Sequence, residues 1–450
     1  MKFQIKAKFR PFAVFFILPI FYFMGACGGS AVGTSSPNEI PAAINPPPAP
    51  NSGPSAPKIT QIVKNALSLG ASLYPPDLDI PNIPGLDHYA FITTYDPAII
   101  AVDLNSNPLM PVADKGLPNL ASVSGFGYIT STVIKDANHA YVLGTEKLVV
   151  FNPSNASILS EIDFTDSINL SSPLAVRNGD GSSAGAVSGV FTPFYPQGLA
   201  VSGDKLYVSF ANLTFNGFGA IDKAIQSVVR IYDIVGDNLL PSSVPYVITN
   251  GFDASGLTPL NDGNILITNS GVGVYDSSTF VFSPTIPATV DLLNTNTFLI
   301  QGSLDLGLSY PSFRSWAITP DGSKAFLGSA TAGIVMEISL QPFQVLRGFD
   351  NPIVITSREI GSDYLSDVAV SPDSGGLFVA SSNNSKVYAV DLTQGQATLT
   401  DQIADFSSPP GVVGIGAMAF RPGQVGLDYT GPTLFLLTNN PASLAAIFTY

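Results

Sequence analysis

Residues Ser315 to Leu340 read SWAITPDGSKAFLGSATAGIVMEISL, and residues Ser366 to Thr393 read SDVAVSPDSGGLFVASSNNSKVYAVDLT. Each has a short alternating apolar run, a Pro-Asp turn with glycine, and a second apolar run. A small polar gap then leads into a third run. The same order recurs from Thr132, Leu199, Leu257 and Met418, and His88 to Leu104 carries it without a clear first run. Recurrence of one unit in fixed order constrains the fold more than any single motif.

Period-two alternation of β-branched and aromatic residues, as in Leu206-Tyr207-Val208-Ser209, is a strand signal. Gly-Asp, Asp-Gly or Asp-Ser-Gly between the first two runs tolerates the positive φ of a tight hairpin. The third run often ends in aspartate, at Asp103, Asp233, Asp276 and Asp391, and a less regular fourth run such as ILSEIDF follows. A four-stranded antiparallel unit repeated about seven times is expected to stack radially as an all-β propeller of seven blades. A sandwich seldom repeats a hairpin in register, and a solenoid repeat is usually shorter, at about 20–30 residues. The last unit lacks a fourth strand after Tyr450, so residues between Ile59 and Ile80 are expected to close the ring by pairing with it.

The repeats resemble the bacterial YVTN-type propeller repeat, which also occurs in lactonase-like propellers, over most of Tyr89 to Tyr450. The resemblance implies an architecture and not an activity. Quinoprotein-type blades match poorly, since Trp316 is the one tryptophan in the chain.

The chain opens MKFQIKAKFRPFAVFFILPIFYFMGAC. Lys2, Lys6, Lys8 and Arg10 precede the apolar run Phe12 to Phe23, which falls short of the roughly 20 residues a spanning helix needs. Residues 1–26 therefore read as an export signal. MGAC is similar to a bacterial lipobox with Met in place of the commoner Leu, which implies lipidation of Cys27; the alternative is an unpaired apolar residue ending the signal. Acyl chains contributing about 0.8 kcal/mol per buried CH₂ would hold the protein on a membrane. By the same resemblance, Gly28 in place of aspartate implies passage to an outer membrane, where the cell has one. Cys27 is the one cysteine, so no disulfide forms within the chain. Residues 27–57, rich in Gly, Ser, Pro and Ala, cannot bury a core and read as a tether to a propeller over 58–450.

Of 19 Lys and Arg, four lie in the signal; the remaining 15 against 33 Asp and Glu give a net charge of −18. Phosphate neutralisation is therefore not available, and nucleic acid is not an expected partner. Long insertions fall at Asp166 to Pro196, Ala211 to Gln226 and Phe282 to Tyr310, and are expected to crowd one face, opposite the terse hairpin turns. Such loops on a rigid scaffold are where a protein or a small polar ligand would bind. Tyr195, Phe215 and Phe218 would supply aromatic contact and Arg177 and Asp180 polar anchors, unless the aromatics pack the insertions down.

The residues opening the inner strands align as Ser131, Gly198, Gly256, Ser315, Asp367 and Ala417. One carboxylate among them is far from the roughly six oxygen ligands of a hard cation, so no metal or other cofactor is expected. Asp367 with Gln197 and Arg314 would suit a small polar ligand at the channel mouth, or Asp367 would cap backbone amides. His88 and His139 are the only histidines, and no GxSxG or HExxH occurs. The expectation is a non-catalytic binding or scaffolding module, with an envelope hydrolase or lactonase using the channel as the alternative.

Overall fold

The structure, a computed structural model, describes residues 54–69, 77–94, 97–117, 119–216, 220–276, 281–311, 316–407, 414–421, 432–439 and 442–449. Among them the chain forms seven antiparallel blade sheets in a ring, six of four strands and the blade 5 sheet with Ile353–Val354 as a fifth, besides one further four-stranded sheet and two two-stranded ones.

The short turns set each blade. In blade 3, Ser202 pairs with Lys205 across Gly203-Asp204, and Val235 with Asn238 across Gly236-Asp237. Both glycines have φ of +59°, the left-handed value that a two-residue turn with glycine first demands. The strands of this blade run from inside to outside as Pro196–Ser202, Lys205–Phe210, Val228–Val235 and Asn238–Ile248. Blades 2, 4, 5 and 6 repeat that order, with inner strands Ile129–Ile134, Ala254–Pro259, Ala317–Ile318 and Leu365–Val370.

Stacking the blades buries both faces of each sheet. One apolar cluster fills each of the seven junctions, as with Leu143, Leu148, Leu206 and Val208 between blades 2 and 3. Trp316 joins blades 4 and 5: its backbone amide donates to Thr258 Oγ1 and its indole Nε1 to Thr268 Oγ1, both at 3.0 Å.

The ring closes as its sequence requires. The inner three strands of blade 7, Ile415–Phe420, Thr433–Asn439 and Ala442–Thr449, take Ile59–Ser68 as their outer strand. Ile59 lies opposite Thr449 and Leu67 opposite Leu444. Arg421 also reaches across to blade 1, donating to the Leu104 carbonyl. Residues just upstream of the closing strand are packed as well, since the Ser55 hydroxyl donates to Asp373 in the first turn of blade 6 at 3.1 Å.

Two expectations need correction. Blade 1 has an inner strand after all, the two-residue Leu78–Asp79, which pairs with Phe91 and Ile92. Two residues are too few to show alternation. In blade 4, the run ending at Asp276 is not the third strand. Val272–Asp276 pairs with Val281–Ile286 as an inserted hairpin, and the third and fourth strands are Ala288–Asn294 and Leu299–Gly307. The insertion thus sits within blade 4, and Phe282 to Tyr310 mostly builds that blade. Both runs carry strand character, and Gly271, with φ of +87°, turns the first of them away from the blade.

Candidate functional site: a lid over a belt of tyrosines

The insertions fold into strands. Leu174–Asn178 and Ser183–Val187, from the link between blades 2 and 3, join Leu213–Phe215 and Ile221–Ile225, from inside blade 3, in one four-stranded sheet. Thr285 of the blade 4 hairpin donates to the Gly179 carbonyl at 2.8 Å, fastening that hairpin to the sheet. Three insertions from separate places in the chain therefore make one lid. Beneath it an apolar cluster includes Leu213, Ile221 and Phe282 from the insertions, and Phe252, Tyr310 and Ala330 from blades 4 and 5.

The lid rests on a recurring position. Tyr128, Tyr195, Asp253 and Tyr364 each stand directly before an inner strand, and Tyr310 precedes Pro311, which bridges to Ser329 of blade 5. In four successive blades this residue's carbonyl accepts the amide just past the second strand. Ala211 donates to Tyr195 at 3.0 Å, and Ser270, Ala330 and Ser382 donate to Asp253, Tyr310 and Tyr364 at 2.9 Å. Equal backbone bonds at equal places define a belt around the upper end of the inner strands. Tyr195, Asp253 and Tyr310 hold left-handed backbones, with φ of 63°, 57° and 38°, a conformation that costs non-glycine residues roughly 1–3 kcal/mol.

The belt is electrostatically continuous. The Tyr195 hydroxyl shares a hydrogen bond with that of Tyr128 and feels Asp253 and Tyr310; Tyr310 in turn feels Asp253 and Tyr364. Burial, followed by these neighbours, pushes both phenols well above their usual range. Asp253 is 1% exposed; among the described residues no donor meets strict geometry at either oxygen, and the Tyr310 phenol approaches it as a hydrogen-bond donor. Burial pushes its pKa up to about 7, with the Tyr310 phenol opposing the shift. Phe282 packs on Tyr310 with ring centroids 4.2 Å apart, and Phe215 on Tyr195 at 5.4 Å.

The residues singled out in the sequence divide between lid, belt and blade junctions. Tyr195 belongs to the belt, and Phe215 on the lid packs against it, so both hold the lid down. Arg177 lies on the central strand pair of the lid sheet, opposite Ala224. Asp180 caps its own turn, accepting from the Ser182 amide at 2.9 Å and hydroxyl at 2.6 Å. Gln197 sits half-buried in the bulge between Pro196 and Leu199. Asp367 accepts the amides of Val368 and of Met418 in blade 7, so its carboxylate joins two blades. The positions aligned with it also face the neighbouring blade. Ser131 accepts the Leu199 amide at 3.3 Å, and a Cβ on Gly198 would come within 3.3 Å of the Gly256 Cα. Cys27, Phe218 and Arg314 lie outside the described residues.

The belt was missed by the sequence reading, although its signal is present. Tyr128, Tyr195, Asp253 and Tyr364 each stand three residues before the aligned Ser131, Gly198, Gly256 and Asp367, and Tyr310 stands five before Ser315. The histidines serve elsewhere. His88 pairs with Asp87 at 3.3 Å, and His139 lies 3.1 Å from both Asp136 and Asp237 on the face of the short turns. Among the described residues, no group of three or more His, Cys, Asp or Glu is placed to hold a metal ion.

No family model matches the chain, and no curated protein matches it. Solved structures do. The Cps50 (Swd1) β-propeller domain of Myceliophteria thermophila superposes with a TM-score of 0.52 at 10% identity, over 87% of this chain and 99% of that one. Hydrazine synthase of Kuenenia stuttgartiensis gives 0.54 at 12% identity, over 83% and 96%. At such identities the likeness is one of fold alone. The chain is a β-propeller.

Proposed function

We propose that this β-propeller is a lipid-anchored binding module of the bacterial cell envelope, tethered through Cys27 and engaging its partner or ligand on the lidded face. The observation that carries the reading is the convergence of three separate insertions into one lid on a single face of a rigid ring. Blades need short turns only, as the opposite face shows. Extra chain placed consistently on one side is the usual way a propeller scaffold acquires recognition. The lid presents Asp222 and Lys223 to solvent, while Phe215 and Phe282 pack against the ring. The YVTN-type character of the repeats, the export signal and the Pro-rich tether support an envelope location.

Quantitative affinity capture from crosslinked envelopes tests this. The full tethered chain should enrich a saturable partner, and Arg177→Glu with Lys223→Glu should lose it. Asp204→Lys with Asn261→Lys, in the short turns, should keep it. Equal enrichment by the lid variant would reject the assignment, and turnover of lactones by the intact chain would favour the hydrolase alternative.

A further inference from the structure

We infer that the chain upstream of the ring is clasped to the face of the short turns, so that the anchored protein holds its lid away from the membrane. The orientation rests on the reading of Cys27 as the anchor; the clasp does not.

The register of blade 7 fixes the exit. Its outer strand starts at Ile59, opposite Thr449 at the end of the third strand, and runs toward Ser68, opposite Ser443 near that strand's start. In blade 3 the third strand ends at Val235, beside the short turn Gly236-Asp237, so Ile59 stands at the same face. Residues just upstream stay on that face. The Ser55 amide and hydroxyl donate to the Asp373 carboxylate at 3.3 and 3.1 Å. Asp373 lies in the first turn of blade 6, the counterpart of Gly203-Asp204 in blade 3. Its other oxygen accepts the Gly375 amide at 3.0 Å and the Ser371 hydroxyl at 2.5 Å, so one carboxylate closes the turn and holds the crossing chain. Pro57 is buried, and the Ile59 amide donates to Gln402 on the outer strand of blade 6 at 3.3 Å.

The turn is shaped for this crossing. A Cβ on Gly375 would overlap the Ser55 carbonyl, and one on Gly376 would come within 2.6 Å of the Pro57 Cβ. Neither glycine takes a left-handed backbone, so it is the crossing chain and not the turn that requires them. The other first turns read from the sequence, KDAN, SGDK, NDGN and PDGS, carry at most one glycine, whereas PDSGG carries two in succession.

The exit decides what the lid can meet. As a tether, residues 28–53 would span about 30 Å on average. A head of this size is about 50 Å across. Bringing the lid to the bilayer would draw the tether from the opposite face round the rim, well beyond its usual span. The lid is thus presented to partners in the aqueous space beside the anchoring membrane and not to molecules within that bilayer.

Limited trypsin digestion of the full chain tests the clasp. Cleavage after Lys58, the first basic residue beyond the tether, should be slow, and Gly375→Ala should speed it at least about tenfold by releasing the crossing segment. Gly376→Ala, which meets Pro57 instead, should do the same, with cleavage at Lys205 and Lys386 unchanged. If near-UV circular dichroism shows that either variant alters the ring, Pro57→Gly removes the buried side chain without touching blade 6. Energy transfer tests the orientation. The lipidated chain in phosphatidylcholine vesicles, with a donor dye on an azide-bearing amino acid at position 204 or 223 and an acceptor on the lipid headgroups, should transfer more efficiently from 204. Where cells leave Cys27 bare, its thiol coupled to a maleimide lipid serves the same measurement. Cleavage after Lys58 as fast in the parent as in the variants would overturn the clasp, and transfer from 223 equal to or above that from 204 would overturn the orientation. Neither result touches partner capture by the lid, and a Cys27 without lipid would overturn the cellular anchor alone.

Discussion

Asp367 of blade 6 accepts the backbone amide of Met418 in blade 7 at 2.6 Å, while its other oxygen accepts Val368 at 2.9 Å. A carboxylate that sequence alignment would send to the channel is thus a rivet between neighbouring inner strands. Bonds from amides to an ionised acceptor are stronger than neutral ones, and removing the acceptor leaves buried donors unsatisfied. Asp367→Ala should therefore cost about 2–4 kcal/mol of stability, read from urea midpoints at an unchanged m-value.

Ring closure predicts a sharp boundary in truncations. Removing residues 1–53 leaves every described contact in place and should leave the melting temperature unchanged. Removing residues 1–68 deletes the outer strand of blade 7 and exposes the edge of Ala442–Thr449. That truncation should lower the melting temperature substantially and promote association through the open edge. Equal melting of the two would contradict closure.

Much of this fold was legible because propeller strands advertise themselves. Leu206-Tyr207-Val208 alternates cleanly, and Gly203 and Gly236 mark turns whose φ only glycine meets at no cost. Closure was legible because the Met418 unit carries three strand runs where the other units carry four. The hairpin Val272–Asp276 with Val281–Ile286 was not, since inserted strands and blade strands obey the same periodicity. The belt escaped for another reason. Its residues, Tyr128, Tyr195, Asp253, Tyr310 and Tyr364, lie just outside the strands, and their equivalence rests on backbone hydrogen bonds rather than on one residue type.

The pH dependence of stability should carry the signature of Asp253. Its pKa is raised from the usual 3.8 to about 7 in the fold, chiefly by burial. The folded state then holds a proton that the unfolded chain has lost, so stability is greatest below about 4 and falls as pH rises toward 7. At roughly 1.4 kcal/mol per unit, this one group accounts for about 4 kcal/mol at most. Asp79, also raised to about 7 by burial and then by the Asp77 charge, acts in the same direction. Asp253→Asn should match the parent near pH 4, exceed it by about 2–4 kcal/mol at pH 8, and flatten the profile between. A variant less stable than the parent at pH 8 would show that the carboxylate has a stabilising partner.

The proposed lipid attachment rests on the single thiol of Cys27. Cells labelled with a palmitate analogue should mark the parent chain and leave Cys27→Ser unmarked. The variant, once its signal is removed, should partition into the soluble fraction. Membrane retention of the unmarked variant would contradict the anchor.

The central claim is that recognition occurs on the lidded face. A photoreactive amino acid placed at Lys223 on the lid, or at Asp204 in the opposing turn, reads that face directly in intact envelopes. Both side chains are exposed, so neither substitution disturbs the core. The account predicts a discrete crosslinked species from position 223 that free partner competes away, and none from position 204. A competed crosslink from position 204 with none from position 223 would contradict it.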